Sequence, residues 1–149
     1  MTPIEQRVWQ SLVTLTSRLP AEIDSHLHRS DGLTHFEYRV LSTLSQTPGH
    51  RVRLVVLAEQ THGSLSRLSH VLNKLERAGW VRRERPAFGR GVRAVLTEAG
   101  HAVVAEATPG YQKLVQTLVF DGLDDHQLPP LARLLEVLVA HTEASGGAA

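Results

Sequence analysis

One stretch of the chain, from Ser64 to Gly79, restricts the possible fold more than any other. Its apolar residues recur at three- and four-residue spacing, the period of one helix face: Leu65, Leu68, Val71, Leu72 and Leu75. On a helical wheel, the opposite face carries hydrogen-bond donors and no acid: Ser66, Arg67, His70, Asn73, Lys74 and Arg77. Ser64 is suited to cap the start of the helix and Gly79 to end it. A merely solvated helix would mix acids into such a face, so the pattern favours contact with a polyanion.

The segments beside this helix predict a winged helix-turn-helix. Residues 54–61 read as a short helix ended by His62-Gly63, and two β-prone segments, 80–85 and 92–96, follow the Ser64 helix. Two short helices joined by a tight turn and followed by a β-hairpin are typical of that unit. The hairpin tip is Gly89-Arg90-Gly91. If the partner is a DNA duplex, such a tip favours insertion of Arg90 into the minor groove beside the helix. Thr34 and Glu37 have the spacing of a capping box and predict the start of one more helix.

Longer helical segments flank this unit, so the expected fold class is mainly α with a small β-hairpin wing. The expected helices span about 4–28, interrupted or kinked at Pro20, about 98–120, bending near Pro109-Gly110, and about 124–142. The expected domains are an N-terminal dimerisation helix (1–33), a DNA-binding domain (34–97), C-terminal dimerisation helices (98–142) and a disordered tail (143–149). The flanking helices carry more leucine and valine than a thin winged domain can bury, which predicts a homodimer. A monomer closed by its own helical cap is the alternative.

Charge is unevenly distributed along the chain. Between His50 and Thr97 there are ten cations and three anions, a net charge of +7, whereas the whole chain carries +1. The basic segment coincides with the predicted winged unit. Charge and predicted topology therefore both indicate a nucleic-acid partner.

Several function classes are disfavoured by what the sequence lacks. Without cysteine there are no disulfides, thiolate zinc sites or iron–sulfur clusters. No phosphate-binding glycine loop, nucleophile elbow or carboxylate cluster suggests an enzyme or a cofactor, and the histidines lack the spacing of a zinc helix. No apolar run reaches the roughly 20 residues of a membrane helix, and the N-terminus is unlike a signal peptide. The expectation is a soluble, cytoplasmic protein with no enzymatic activity, cofactor, metal or membrane association.

Four sequence blocks carry a resemblance to a known family. They are Leu57-Ala58, Ser66-Arg67-Leu68-Ser69, the run Leu75-Glu76-Arg77-Ala78-Gly79-Trp80-Val81-Arg82-Arg83, and Gly89-Arg90-Gly91 continuing to Leu96-Thr97-Glu98-Ala99-Gly100. Together with the flanking helices, which include Pro109-Gly110-Tyr111 and Phe120-Asp121-Gly122-Leu123, they resemble the multiple-antibiotic-resistance regulator (MarR) family over nearly the whole chain. The resemblance implies a homodimeric, sequence-specific transcription regulator, often a repressor released by phenolic or aromatic ligands, oxidants or metals. Two positions depart from the family pattern: Phe88 replaces an aspartate that usually orients wing arginines, and His70 stands where arginine is common.

The predicted DNA contacts follow from the polar helix face and the hairpin. Arginine suits guanine, asparagine suits adenine, and serine or lysine suits phosphates. The residues expected to meet a double-stranded, inverted-repeat operator are Ser64, Ser66, Arg67, Ser69, His70, Asn73, Lys74 and Arg90. The alternatives are a winged helix that contacts proteins and a non-specific architectural DNA binder.

A pocket for a small effector is a further hypothesis. Aromatic side chains that could line it between the dimerisation helices and the DNA-binding unit are Trp9, His35, Phe36, Tyr38 and Tyr111. Aromatic residues at helical spacing also commonly serve as plain core, and this alternative stays open.

Overall fold

The computed structural model describes residues 1–146, which form six α-helices and three short strands. The helices are α1 (Pro3–Asp31), α2 (His35–Gln46), α3 (Leu54–Gln60), α4 (Leu65–Arg77), α5 (Glu98–Val115) and α6 (Leu128–Gly146). The strands are β1 (Arg51–Arg53), β2 (Val81–Glu84) and β3 (Arg93–Leu96). The chain divides into two compact units, residues 1–112 and the part from residue 113 onward. The mainly helical fold with a small winged sheet was predicted correctly.

Helix α1 runs through Pro20, where an interruption or kink was expected. A proline at this position removes one backbone hydrogen bond, whereas burial of Ile23 and Leu27 holds the following turns in place. The helix also extends beyond the predicted end near His28 and stops at Gly32, whose φ of 67° closes the last turn.

Helix α2 begins with the predicted capping box. The Thr34 side chain accepts a hydrogen bond from the Glu37 amide, and the Glu37 carboxylate accepts one from the Thr34 amide. The hairpin, expected to have two strands, belongs to a three-stranded antiparallel sheet with order β1-β3-β2. The sequence gives little sign of β1, because this strand has three residues and only Val52 is buried, opposite Ala94 of β3.

The core of the winged unit is mainly leucine. Its fully buried members include Leu41, Leu44, Leu57, Leu68, Leu72 and Leu75. Leu65, expected on the buried stripe, is 50% exposed. It is the first residue of α4, so the buried stripe begins one turn later, at Leu68.

Helix α5 is held closely against the sheet at its first turn. Thr97 caps this helix, with its hydroxyl accepting a hydrogen bond from the Gly100 amide. A Cβ at Gly100 would lie 2.2 Å from the Trp80 carbonyl oxygen. The close contact explains why this position requires glycine.

The second unit has no buried residue between Lys113 and Gly146. Helix α5 ends at Val115, earlier than expected, and continues as one π-helical turn, Gln116–Phe120. Pro109 lies inside the α-helical part. Helix α6 continues through Gly146, so residues 143–146, expected to be disordered, are helical, and residues 147–149 lie outside the described part.

Candidate nucleic-acid interface

The polar face of α4 is available to solvent over its whole length. Ser64 caps the helix, since its hydroxyl accepts a hydrogen bond from the Arg67 amide at 3.0 Å. The exposed residues on this face are Ser66, Arg67, His70, Asn73, Lys74 and Arg77, whereas Ser69 is half-buried. The predicted acid-free surface is therefore present as one continuous helix face.

Arg67 does not extend freely into solvent. Its guanidinium carbon lies 4.0 Å from the centroid of the Phe36 ring, which belongs to the first turn of α2. A cation over an aromatic face is attracted by the ring quadrupole. The geometry gives Arg67 a defined position beside the helix.

Lys74 is engaged by an acid from α2. Its Nζ donates a hydrogen bond of 2.7 Å to the Glu37 carboxylate, which is 4% exposed. The other oxygen of that carboxylate completes the α2 capping box. Sequence spacing indicated the cap, but the ion pair joins residues 37 positions apart and was missed.

Arg83 fastens the wing to α4. Its guanidinium pairs with Glu76 and donates hydrogen bonds of 2.9 Å to the Ser69 carbonyl and to the Asn73 side-chain oxygen. The Arg83 amide also donates to Glu76. Because the Asn73 oxygen is held in this way, its amide NH₂ group is oriented and remains a donor.

The base of the wing carries a partly neutralised charge cluster. The Glu84 carboxylate accepts hydrogen bonds from Arg82, at 2.7 and 3.2 Å, and lies 3.6 Å from an Arg51 nitrogen. The hydrogen bond from Arg82 holds the pKa of Glu84 below its ordinary value, assisted by Arg51 and Arg93. Arg82 is therefore paired with an acid of its own strand.

Arg90 occupies the exposed tip of the wing. It lies between Gly89, with a φ of 102°, and Gly91, with a φ of 91°. Phe88 is 94% exposed, so its ring does not pack on the wing. The tip therefore presents one cation and one aromatic ring to solvent.

A cavity of about 710 Å³ lies between α2 and α5 in the first unit. Tyr38 and Tyr111 line it with ring centroids 4.5 Å apart, and Arg39 and His101 contribute charge or polarity. The Thr108 hydroxyl donates to the Val104 carbonyl, so the Tyr38 hydroxyl, 3.1 Å away, is the donor to Thr108. Burial is the main cause that raises the pKa of Tyr111, which keeps this phenol neutral.

Only part of the predicted aromatic pocket comes together. His35 lies beside Tyr111, with ring centroids 6.1 Å apart, but is not among the residues that line the cavity. Trp9 and Phe36 do not line the cavity. Trp9 is 57% exposed and, at about 1.5 Å per residue, lies roughly 27 Å along α1 from Leu27. The Phe36 ring faces Arg67 because consecutive helical residues point in different directions.

The described part of the chain forms neither a metal site nor a membrane-spanning helix. Within residues 1–146, no group of three His, Asp or Glu side chains is arranged to hold a metal ion. Over the same residues, no helix combines the length and apolar character needed to cross a membrane.

Comparison with solved structures identifies the family. Sco3205 from Streptomyces coelicolor, a MarR family transcriptional regulator solved in complex with DNA, is 36% identical with a TM-score of 0.87. The match covers 93% of this chain and 91% of Sco3205. This chain belongs to the MarR family. The MarR family model also matches residues 33–87, from the end of the α1–α2 loop into the wing.

Other MarR structures extend the comparison. AbsC, also from Streptomyces coelicolor, is 32% identical with a TM-score of 0.89, and the match covers 97% of both chains. NadR, solved with 4-hydroxyphenylacetate, shares the fold at 22% identity and a TM-score of 0.66, covering 93% of both chains. No curated protein sequence matches the chain. The chain is therefore a MarR family transcriptional regulator.

Proposed function

We propose that this MarR protein is a homodimeric repressor that binds duplex DNA sequence-specifically through α4 and the wing. The observation that carries the proposal is the exposed, acid-free face of α4. A helix of this kind fits the major groove, where arginine and asparagine distinguish base pairs. The DNA complex of the relative Sco3205 supports the same partner.

Residue roles follow from side-chain reach and from the contacts already made. Arg67 and Asn73 are proposed to read bases, because Phe36 and Arg83 respectively hold them in place. Ser66 and His70 lie on the same exposed face. Ser64 and Ser69 border the groove and contact the phosphate backbone, whereas Lys74 lies beside the groove with its ammonium held by Glu37.

The wing is proposed to supply a contact outside the major groove. Arg90 is exposed at a glycine-flanked tip, which suits insertion of a cation into the minor groove. This contact adds affinity with little sequence information.

The homodimer is proposed from apolar surface that each unit leaves uncovered. In α6 the exposed residues include Leu134, Leu135, Leu138 and Val139. In α1 they include Ile4, Val8 and Trp9. Exposed apolar surface of this extent marks an interface, and a twofold dimer would present two α4 helices about 34 Å apart to successive major grooves.

An aromatic acid or phenol is the proposed effector, and the α2–α5 cavity is its site. Tyr38 and Tyr111 offer aromatic surface, while Arg39 offers a positive charge. The neighbours of Tyr38 in α2, Phe36 and Glu37, contact Arg67 and Lys74 of α4. A ligand that shifts α2 would therefore change the DNA-facing side chains.

Titration of phenols and aromatic acids, followed by Trp fluorescence and DNA affinity, tests the effector. A compound that binds and weakens operator affinity supports it, and DNA affinity unchanged by every compound contradicts it. The repressor role is tested with a reporter promoter that contains the duplex site enriched by the protein from a random pool. A repressor lowers reporter expression, and an increase in expression contradicts the role.

The DNA-binding proposal is tested with the site that the protein enriches from a random duplex pool. Arg67→Ala should lower affinity for that site by about 1–3 kcal/mol and leave a scrambled duplex nearly unchanged. Arg77→Ala is the matched control, since it removes the same charge at the end of α4 and should leave discrimination intact. Equal losses on both duplexes in Arg67→Ala would contradict base reading. Binding of all sequences alike would favour an architectural protein, and no binding would favour a protein-contact module.

A further inference from the structure

Phe36 occupies an unusual place for an aromatic residue in the first turn of α2. It is 6% exposed, yet one face of its ring carries the guanidinium of Arg67 at 4.0 Å. Arg67 is itself exposed on the face of α4 that meets DNA in the proposed function. A buried ring therefore directly underlies a DNA-facing cation.

The ring is fixed from the side of the α3–α4 turn. A Cβ added at Gly63 would lie 2.6 Å from Cζ and 2.8 Å from Cε2 of Phe36. The turn backbone thus lies directly against the outer edge of the ring. Gly63 leaves only enough space for phenylalanine, and a tyrosine hydroxyl on Cζ would collide with the turn.

A fixed aromatic platform limits the conformations open to a long, flexible arginine. The guanidinium plane stacks well on aromatic faces, which restricts the side-chain torsions before DNA arrives. A group ordered in advance loses less entropy on binding and meets one base geometry better than others. The platform should therefore affect discrimination between base pairs more than overall attraction to phosphates.

We propose that Phe36 is a positioning residue that sets the base-pair specificity of Arg67, with Gly63 holding its ring in place. The proposal rests on the DNA-binding function above. Phe36 itself does not touch the bases, because its exposed surface is almost nil and Arg67 covers its face.

A double-mutant cycle tests this role. The readout is the ratio of affinities for the selected duplex and for the same duplex with single base-pair substitutions. Phe36→Leu should lower that ratio about two- to fivefold at the base pair read by Arg67. In an Arg67→Ala background, Phe36→Leu should have no further effect on the ratio. Circular dichroism checks that each variant is folded.

Two more variants separate positioning from loss of core volume. Gly63→Ala keeps the Phe36 ring but displaces it, and should also lower the affinity ratio. In a Phe36→Leu background, Gly63→Ala should cause no further loss. Leu41→Val removes volume from the same helix at a fully buried site and should leave the ratio unchanged. The proposal is overturned if the affinity ratio is unchanged in both Phe36→Leu and Gly63→Ala. It is also overturned if Phe36→Leu lowers the ratio equally in the wild-type and Arg67→Ala backgrounds.

A measurement without DNA distinguishes this inference from the proposed function. Ring current from Phe36 should shift the Arg67 Cδ protons upfield in the NMR spectrum of the free protein, and the shift should vanish in Phe36→Leu. A wild-type protein that shows the shift but binds all duplexes equally contradicts the proposed function and, with it, the specificity role. A wild-type protein that discriminates between duplexes but shows no such shift overturns only the inference about Phe36.

Discussion

Two acidic residues govern the cations around α4. Glu76 binds Arg83 and so fastens the wing, whereas Glu37 binds Lys74 from the start of α2. Arg67 and Arg77 form no salt bridge within the described part of the chain. The net charge of +7 already counts Glu76, but Glu37 lies outside the basic segment, so its pairing with Lys74 lowers the charge offered to DNA below that value.

Glu37→Gln should release Lys74 for contact with phosphate. Glutamine can still accept from the Thr34 amide, so the capping box is kept while the negative charge is lost. The plot of log affinity against log salt should become steeper by about 1 on any duplex. The double variant Glu37→Gln/Lys74→Ala is the control and should match Lys74→Ala alone. An unchanged slope in Glu37→Gln would contradict this account of Lys74.

Arg90→Ala should weaken binding to all duplexes alike, because one contact near the phosphates is lost. The slope of log affinity against log salt should become shallower by about 1. Fluorescence anisotropy across a salt series measures both effects. Arg7→Ala, an exposed site near the start of α1, is the control and should behave as wild type. Selective loss on the preferred site would instead show that Arg90 reads sequence.

Residue-level prediction from sequence succeeded where the interaction is local. The caps predicted at Thr34 and Ser64 each involve residues three positions apart, and both are present. The contacts of Arg67 with Phe36 and of Lys74 with Glu37 bring together residues far apart in the chain. Periodicity identified both cations as exposed but gave no information on which α2 side chain lies beneath each.

Among the helices, the start of α2 contacts both α4 and α5. His35 and Tyr38 lie beside Tyr111 of α5, whereas Phe36 and Glu37 contact α4. Burial, followed by the charge of Arg39, lowers the pKa of His35 below its ordinary value of 6.5, while Asp24 opposes the shift. His35 is therefore neutral in the folded protein at neutral pH.

His35→Gln should reduce the loss of stability on mild acidification. The unfolded chain binds a proton near pH 6.5, whereas the folded chain resists it until lower pH, so wild-type stability falls as pH drops through that window. Urea midpoints at pH 7.5 and 5.5 measure the difference. His141→Gln, at an exposed site, should keep the wild-type decline. The same decline in His35→Gln as in wild type would contradict the assignment.

Prediction of secondary structure failed where a strand depends on pairing with a distant strand, and where a helix accommodates a proline. β1 forms only because β3 supplies its hydrogen-bond partners, and three residues carry no periodicity of their own. Pro20 is accommodated inside a 29-residue helix. Helix, turn and wing order was predictable because each has its own local signal in capping residues, glycines and alternating β-prone residues.

For the whole molecule, the exposed apolar residues of α6 are predicted to form part of the homodimer interface. Leu134 and Leu138 lie one helical turn apart and are both exposed. Leu134→Glu/Leu138→Glu should give a monomer in sedimentation experiments, and affinity for a two-half-site duplex should fall by about 10²-fold or more. Ala132→Glu/Ala140→Glu adds the same charge on the other side of the helix and should remain dimeric. A Leu134→Glu/Leu138→Glu variant that stays dimeric would contradict this interface.

Sequence-specific recognition of duplex DNA is the function proposed for this MarR protein. Its most direct test is fluorescence anisotropy on the duplex selected by the protein, beside a scrambled duplex of equal composition, across a salt series. We predict a preference of about 10³-fold or more for the selected duplex near physiological salt. Equal affinities for the two duplexes, falling together as salt rises, would contradict it.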